Sequence, residues 1–384
     1  MPVLLLLMLL SDIVTIALIV LDVRFIHQWL EWRNTYVDDI AQRSLKYAIA
    51  LTAFSLFGKF PVSWLVCKIR KNEDEPSQER SRETDRLQRQ DGSVIHIEFE
   101  GNPQGQPILF IHGWNENLTA WSYEKRYFTK DHRIILIDLP GLGKSKGPDN
   151  HDYSLQKMAL DIEAVIEYLN LKNLILWGHS MGGMIILTYC TEIGKKVNQK
   201  IKGIILQHTT YTNPTKTSIL SGLLTAIEKP ILYPICYIMI ALWPLFWLNK
   251  WLSYLNGSML LSTRFLTFAG TQTHAQLDFI SRLSAMAPPN VFALGMLGMM
   301  RTYDVTNDLK ALKMPALIFG AEHDRLTTFA ASEFMKRNIP NSELVVLTPA
   351  GHQGLVERHT ETIAAAEAFM KKLEEQRMQT DNYQ

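Results

Sequence analysis

The chain has 384 residues, enough for two domains or for one large domain carrying extras. Hydrophobic residues make up 47% and charged residues 20%, the balance of a folded rather than a disordered chain. Lysine plus arginine (39) nearly cancels aspartate plus glutamate (38), which leaves a nucleic-acid partner without electrostatic support.

Apolar residues are concentrated in the first 67 positions and in 218–270. The run from Val3 to Val23 is nearly all Leu, Ile and Val, interrupted by Ser11, Asp12, Thr15 and Asp22. It matches the roughly 20 residues that a helix needs to cross the hydrocarbon core of a bilayer. Asp12 at mid-depth costs about 2.5–3.5 kcal/mol, which the surrounding Leu and Ile offset. A cleaved signal peptide would need a basic segment before the run and a small-residue cleavage site after it, and neither is present. A second apolar run, Tyr47 to Cys67, contains Lys59 and Pro61 and either completes a hairpin or lies in the interface. Residues 1–70 are therefore expected to be a membrane anchor of one or two transmembrane helices. Lys68, Arg70, Lys71, Arg80 and Arg82 follow it while Arg24, Arg33, Arg43 and Lys46 lie between the two runs, a balance that favours a cytoplasmic catalytic region only slightly. Asn117-Leu118-Thr119 and Asn256-Gly257-Ser258 fit the glycosylation pattern, but such triplets arise by chance.

Residues 71–92 are polar without apolar periodicity and read as a solvated linker. From Val94 the pattern becomes short β-rich runs at 94–100, 107–112, 133–138, 174–178, 202–207, 315–319 and 343–348. Ser154–Leu171 has a capping serine followed by apolar residues at helical spacing. Continuous apolar strands alternating with helices predict a doubly wound α/β domain over 93–210 and 301–376. Cys67, Cys190 and Cys236 each sit in an apolar stretch, and none shows metal spacing. Neither a disulfide framework nor a metal is expected.

Three motifs carry chemistry. Strand 174–178 runs into Gly178-His179-Ser180-Met181-Gly182-Gly183 and then a helix-compatible stretch. A nucleophile on such a tight strand-to-helix turn is exposed beside a helix N-terminus, where backbone N–H groups favour a developing anion. A serine hydroxyl needs a base, and the base needs an orienting carboxylate. His352 follows strand 343–348, and Asp324 follows strand 315–319, with Glu322 as its rival for the carboxylate role. Strand 107–112 ends in His112-Gly113-Trp114, so the Trp114 and Met181 backbone N–H groups are the natural oxyanion donors. His112 reads as a strut for that loop, and His179 as packed under the turn.

With these residues in hand the chain resembles the α/β-hydrolase superfamily, in its single-domain serine branch. The resemblance rests on Phe110–Trp114, Asp138-Leu139-Pro140-Gly141-Leu142-Gly143-Lys144-Ser145, Gly178–Gly183, Gly320-Ala321-Glu322-His323-Asp324 and Gly351-His352, and covers about 94–375. It implies an eight-stranded, mostly parallel sheet, a Ser-His-Asp triad, no cofactor, and a cap inserted after the sixth strand. The Asp138–Ser145 turn is a structural signature in the family. The Gly178–Gly183 elbow is similar to that of monoacylglycerol-lipase-like enzymes. Epoxide hydrolases and haloalkane dehalogenases resemble the chain around His112-Gly113-Trp114 but carry an aspartate nucleophile, against which Ser180 argues.

Residues 211–300 fall in the cap. Within them Pro230 to Asn249 carries no charge, and Pro234 and Pro244 are expected to break its helix. Two lids fit this composition: one packed on the active site with its apolar face inward, and one that also dips into the bilayer surface through Trp243, Trp247, Trp251, Tyr233, Tyr237 and Tyr254. The expected function is a membrane-anchored serine hydrolase that cleaves carboxylic esters of lipid-like acyl substrates. A thioesterase, an acyltransferase, a C–C bond hydrolase or a catalytically silent binding protein on the same scaffold are the alternatives.

Overall fold

The computed structural model describes residues 2–34, 38–67, 74–193 and 200–381. The chain begins with α1 (Pro2–Trp32), turns back through α2 (Asp38–Phe57), and bends by 65° into α3 (Lys59–Val66). The second apolar run is thus not one straight helix. The bend falls at Gly58, where a Cβ would lie 2.5 Å from the Asn256 carbonyl oxygen, so only glycine admits this close approach to the cap.

The sheet comprises β1 (Glu83–Gln88), β2 (Val94–Gly101), β3 (Pro107–Ile111), β4 (Arg133–Ile137), β5 (Leu174–His179), β6 (Ile201–Gln207), β7 (Ala316–Ala321) and β8 (Ser342–Leu347). Its order is β1-β2-β4-β3-β5-β6-β7-β8; β1 and β2 pair antiparallel, as do β2 and β4, and the other pairs are parallel. The eight-stranded, mostly parallel sheet is as expected. β1 is a correction: it forms within the tract read as a solvated linker. Its polar residues suit an edge strand half open to water, and Arg80 just before it pairs with Glu98 at 2.8 Å and Asp138 at 3.0 Å.

Side chains alternate across the strands, so the central strands each supply two cores. Leu109 and Ile111 of β3 join one apolar cluster, while Ile108 and Phe110 join the other. Core helices α4 (Ser122–Phe128), α5 (Leu155–Tyr168) and α6 (Met181–Thr188) cover the sheet; Ser154 caps α5 by accepting from the Lys157 N–H at 3.2 Å.

The cap consists of α7 (Ser221–Ile227), α8 (Tyr233–Ala241), α9 (Trp243–Asn256), α10 (Ser258–Thr267), α11 (His274–Met286) and α12 (Pro289–Thr302). Then α13 (Phe329–Asn338), α14 (Gly354–Glu357) and α15 (His359–Asp381) complete the core. A π-type turn links α7 to α8, so Ser221–Ala241 runs as one apolar helix. Pro234 does not interrupt it; it follows directly on that π-type turn, where the hydrogen-bond ladder is already offset. The chain breaks instead at Leu242, with Pro244 in the first turn of α9.

α1 has two different halves. Up to Thr15 it is seated on the cap: Thr15 Oγ1 bonds to Ser253 Oγ and Asn256 Nδ2, each at 2.8 Å, and Ser11 Oγ to the Ser258 carbonyl at 3.2 Å. Leu5 is fully buried in the larger apolar cluster. Beyond Thr15 the helix pairs with α2, with Ile16, Ile19, Val20, Val23, Ile26 and Leu30 exposed. Asn117 and Asn256 of the glycosylation-type triplets are both buried.

Candidate active site

Three loops at the carboxyl edge of the sheet deliver the predicted site residues. Between β5 and α6 Ser180 alone makes the turn, with φ 51° and ψ −116°, a sparsely populated conformation for a residue with a side chain. The turn closes because a Cβ on Gly178 or Gly182 would meet backbone at 2.5 or 2.0 Å. Ser180 Oγ lies 2.9 Å from His352 Nε2, and His352 Nδ1 lies 2.8 Å from Asp324 Oδ2. Asp324 also accepts from the Leu326 and Thr327 N–H groups at 2.8 and 2.9 Å and from Thr327 Oγ1 at 2.9 Å. All three residues are buried.

Burial alone would raise the Asp324 carboxyl, but the adjoining His352 ring and these donors hold it at about 2. Burial also lowers His352 below its ordinary 6.5 and outweighs the pull of Asp324. A neutral imidazole accepting from Ser180 and donating to an ionised Asp324 is the arrangement of a general base. Glu322, the rival carboxylate, points to solvent and accepts from Thr348.

His112 accepts from the Leu139 N–H at 3.0 Å through Nε2, so Nδ1–H donates to the Gly113 carbonyl at 2.7 Å. It ties two strand-end loops together, as a strut would. The Gly113 N–H donates to buried Glu116 at 3.2 Å. Among the described residues the backbone N–H groups of Trp114 and Met181 have no acceptor within the protein. Trp114, Ser180 and His352 share a cavity of about 30 Å³, room for about two waters. Leu4 of α1, Ile280 and Leu326 form its apolar side.

Sequence reasoning missed four residues here. Glu116 joins the Trp114 loop to the other two, contacting His179 Nδ1 at 3.3 Å and the Gln353 amide; burial would raise it, but the His179 ring and Gln353 hold it at about 2. Asn115 has positive φ and, like Leu4, lines the cavity. Lys250 Nζ donates from the cap to Asn115 Oδ1 at 3.0 Å and the Ala287 carbonyl at 2.8 Å. A signal for Lys250 existed, since it is the charge that ends the uncharged cap stretch. Asn115 and Glu116 directly follow a motif already read. Nothing local marks Leu4.

A mostly parallel eight-stranded sheet whose carboxyl edge gathers a serine elbow, an imidazole and a carboxylate defines a hydrolase of the α/β fold. The chain belongs to that family: residues 106–358 match the alpha/beta hydrolase fold. It is 29% identical over 257 residues to the AB hydrolase superfamily protein YisY of Bacillus subtilis (strain 168), covering 66% of this chain and 87% of that one. Among solved structures it is similar to the esterase EaEST from Exiguobacterium antarcticum, with a TM-score of 0.57, 23% identity, and coverage of 74% and 98%. It is also similar to a membrane phospholipase A described as a bacterial virulence factor, with a TM-score of 0.60, 20% identity, and coverage of 76% and 86%. At these identities the two structures speak for the fold alone.

Proposed function

We propose that the protein is a membrane-associated serine hydrolase that cleaves carboxylic esters of lipid-like acyl substrates. The hydrogen-bonded line from Ser180 through His352 to Asp324, at 2.9 and 2.8 Å, carries the reading. His352 Nε2 takes the hydroxyl proton as Ser180 Oγ bonds to the ester carbonyl carbon. The Trp114 and Met181 N–H groups receive the charge that develops on the carbonyl oxygen, each contributing about 2.7–4 kcal/mol in comparable sites. Asp324 orients the ring and stabilises the imidazolium. Collapse breaks the bond to the alcohol oxygen, which leaves with the proton from His352. Water, deprotonated by His352, then attacks the acyl-enzyme, and the acid departs as the proton returns to Ser180. A thioester, or an acyl acceptor other than water, would use the same groups.

The cavity as it stands takes water and not an acyl chain, so admission of substrate requires Leu4 and the cap to move apart. Exposed apolar side chains on the second half of α1, on α2 and α3, and on Tyr237, Trp243, Leu245, Trp247 and Leu248 of the cap support a bilayer seat. Of the aromatic residues read for that role, Tyr254 is buried and Trp251 packs on the core. With 2–15 seated on the cap, α1 has residues 16–32 left to insert. At 1.5 Å per residue these reach about 25 Å, short of the roughly 30 Å core. The α1–α2 pair then inserts part-way, and the basic residues after it favour a catalytic region on the cytoplasmic side.

Labelling by a fluorophosphonate probe tests the chemistry: wild type labels and hydrolyses a long-chain ester, and Ser180→Ala does neither while keeping its circular dichroism. Substantial turnover by that variant would assign the nucleophile elsewhere. Liposome flotation of the full chain tests the seat, with Leu245→Glu plus Leu248→Glu expected to weaken it; unchanged flotation would remove the cap from the membrane face.

A further inference from the structure

Beside the cavity over Ser180 lies a second one of about 20 Å³ that shares Leu4, Asn115, Thr263 and Ser284 with it, so the two adjoin. The first carries the catalytic groups with Leu4, Ile280 and Leu326 along one side; the second has Leu4, Met8 and Met259 in its wall, together with the ammonium of Lys250, the carboxylate of Asp12, the Asn115 amide and several hydroxyls. Lys250 and Asn115 are each 2% exposed, and among the described residues Asn115 Nδ2 has no hydrogen-bond partner. Asp12 and Lys250 do not form an ion pair with each other. Asp12 accepts from Asn249 at 2.7 Å, while Lys250 is engaged by Asn115 and Ala287. Burial pushes the Lys250 ammonium down to about 7 against the pull of Asp12.

A hydrocarbon laid in this second chamber would leave the free amide N–H desolvated, at a cost of about 1–3 kcal/mol, whereas a hydroxyl oxygen gives it an acceptor. The facing of one cation and one carboxylate leaves no net charge, so a phosphate gains no net attraction there. Closed, the chamber holds one or two hydroxyl oxygens, and the movement of Leu4 and the cap that admits substrate widens it together with its neighbour.

We propose that the chamber lined by Asn115, Lys250, Asp12 and Ser284 is the subsite for the alcohol part of the ester, and that it selects an uncharged alcohol bearing a free hydroxyl. The acyl chain then lies on the Leu4, Ile280 and Leu326 side. This rests on the ester-hydrolase reading and adds to it the identity of the leaving group. It also gives α1, through Asp12, a part in substrate choice.

The test uses the full-length protein in detergent and two esters of one long-chain acid, the 2-hydroxyethyl and the n-propyl, which match in size and differ only by hydroxyl for methyl. The expected result is a preference in kcat/KM of about tenfold or more for the hydroxyethyl ester. In Lys250→Met that ratio should fall towards one, and in Ser284→Ala part-way; because each ratio is taken within one preparation, a loss of folded enzyme does not alter it. Equal turnover of the two esters by wild type would overturn the proposal, as would a ratio unmoved in both variants. Faster cleavage of the 2-phosphonooxyethyl ester than of the hydroxyethyl ester would overturn the neutral assignment. If Ser180 takes no fluorophosphonate and neither ester is cleaved, the hydrolase reading itself fails; if it labels and cleaves without preference, only the subsite does.

Discussion

The carboxyl edge of the sheet and the helical roof above it are built on different principles. At the edge, short loops are fixed by backbone: Ser180 on its strained turn, Gly182 against the Ile111 carbonyl, Asp324 held by two N–H groups of its own loop. In the roof, α1 meets α9 and α10 through small hydroxyls and apolar side chains contributed from distant parts of the chain. Local geometry makes a site whose parts can be replaced one at a time. Long-range packing makes a wall that fails as a unit.

The sharpest contrast lies within the edge. Asp324→Asn should lower kcat about 10⁴-fold by leaving His352 in the wrong tautomer, while Glu322→Gln, on an exposed side chain, should change it by less than about twofold; steady-state kinetics on one ester decides between them. A reversal would move the carboxylate role to Glu322.

Glu124 of α4 is fully buried, neither of its oxygens has a partner among the described residues, and burial raises its carboxyl to about 8. Its folded pKa lies above the ordinary 4.5, so the bound proton favours the folded state. That stability is complete below pH 4.5 and is lost as pH rises towards 8. Glu124→Gln should remove this loss, making the variant more stable than wild type by a few kcal/mol at pH 8 and by much less at pH 5, as read by denaturant unfolding at both. Equal pH dependence in the two proteins would mean that the carboxyl is solvated.

In the roof, Leu5→Ala should cost about 2–5 kcal/mol, because its side chain fills the main core from a segment otherwise resembling a detachable anchor. A cost near zero would detach the first half of α1 from the fold and restore the picture of a simple tether. The smallest effect concerns pH. Protonation of His352 removes the base, and its burial places that step below the ordinary 6.5, so kcat/KM should decline on the acid side with a midpoint under 6.5. A midpoint above 6.5 would mean that Asp324 outweighs burial.

What was legible in the sequence follows the same division. Ser180, Asp324, His352, Trp114 and Met181 could be placed because strand ends, glycines and apolar runs are local signals, and local signals fix loops at a sheet edge. β1 was not, because an edge strand needs no apolar face and Glu83–Gln88 has almost none. The 3–23 run was visible as an apolar helix, but composition does not distinguish lipid from the apolar side of a cap. Ser11, Asp12 and Thr15, which read as interruptions of a membrane span, are the residues that bond to the cap. Leu4 had no signal at all, since its meaning depends on where the other end of the contact lies.

The hydroxyl contacts of α1 also carry a consequence for how the protein is made. Ser11 and Thr15 bond to residues 238 to 251 positions further along the chain. At translation rates of about 5–20 residues per second, the first helix waits roughly 10–50 s before its partners leave the ribosome. Throughout that interval it is an apolar helix without the partners that bury its first half. The wall of the pocket that is synthesised first is therefore the last to be set in place, and the site stays open until the cap has been made.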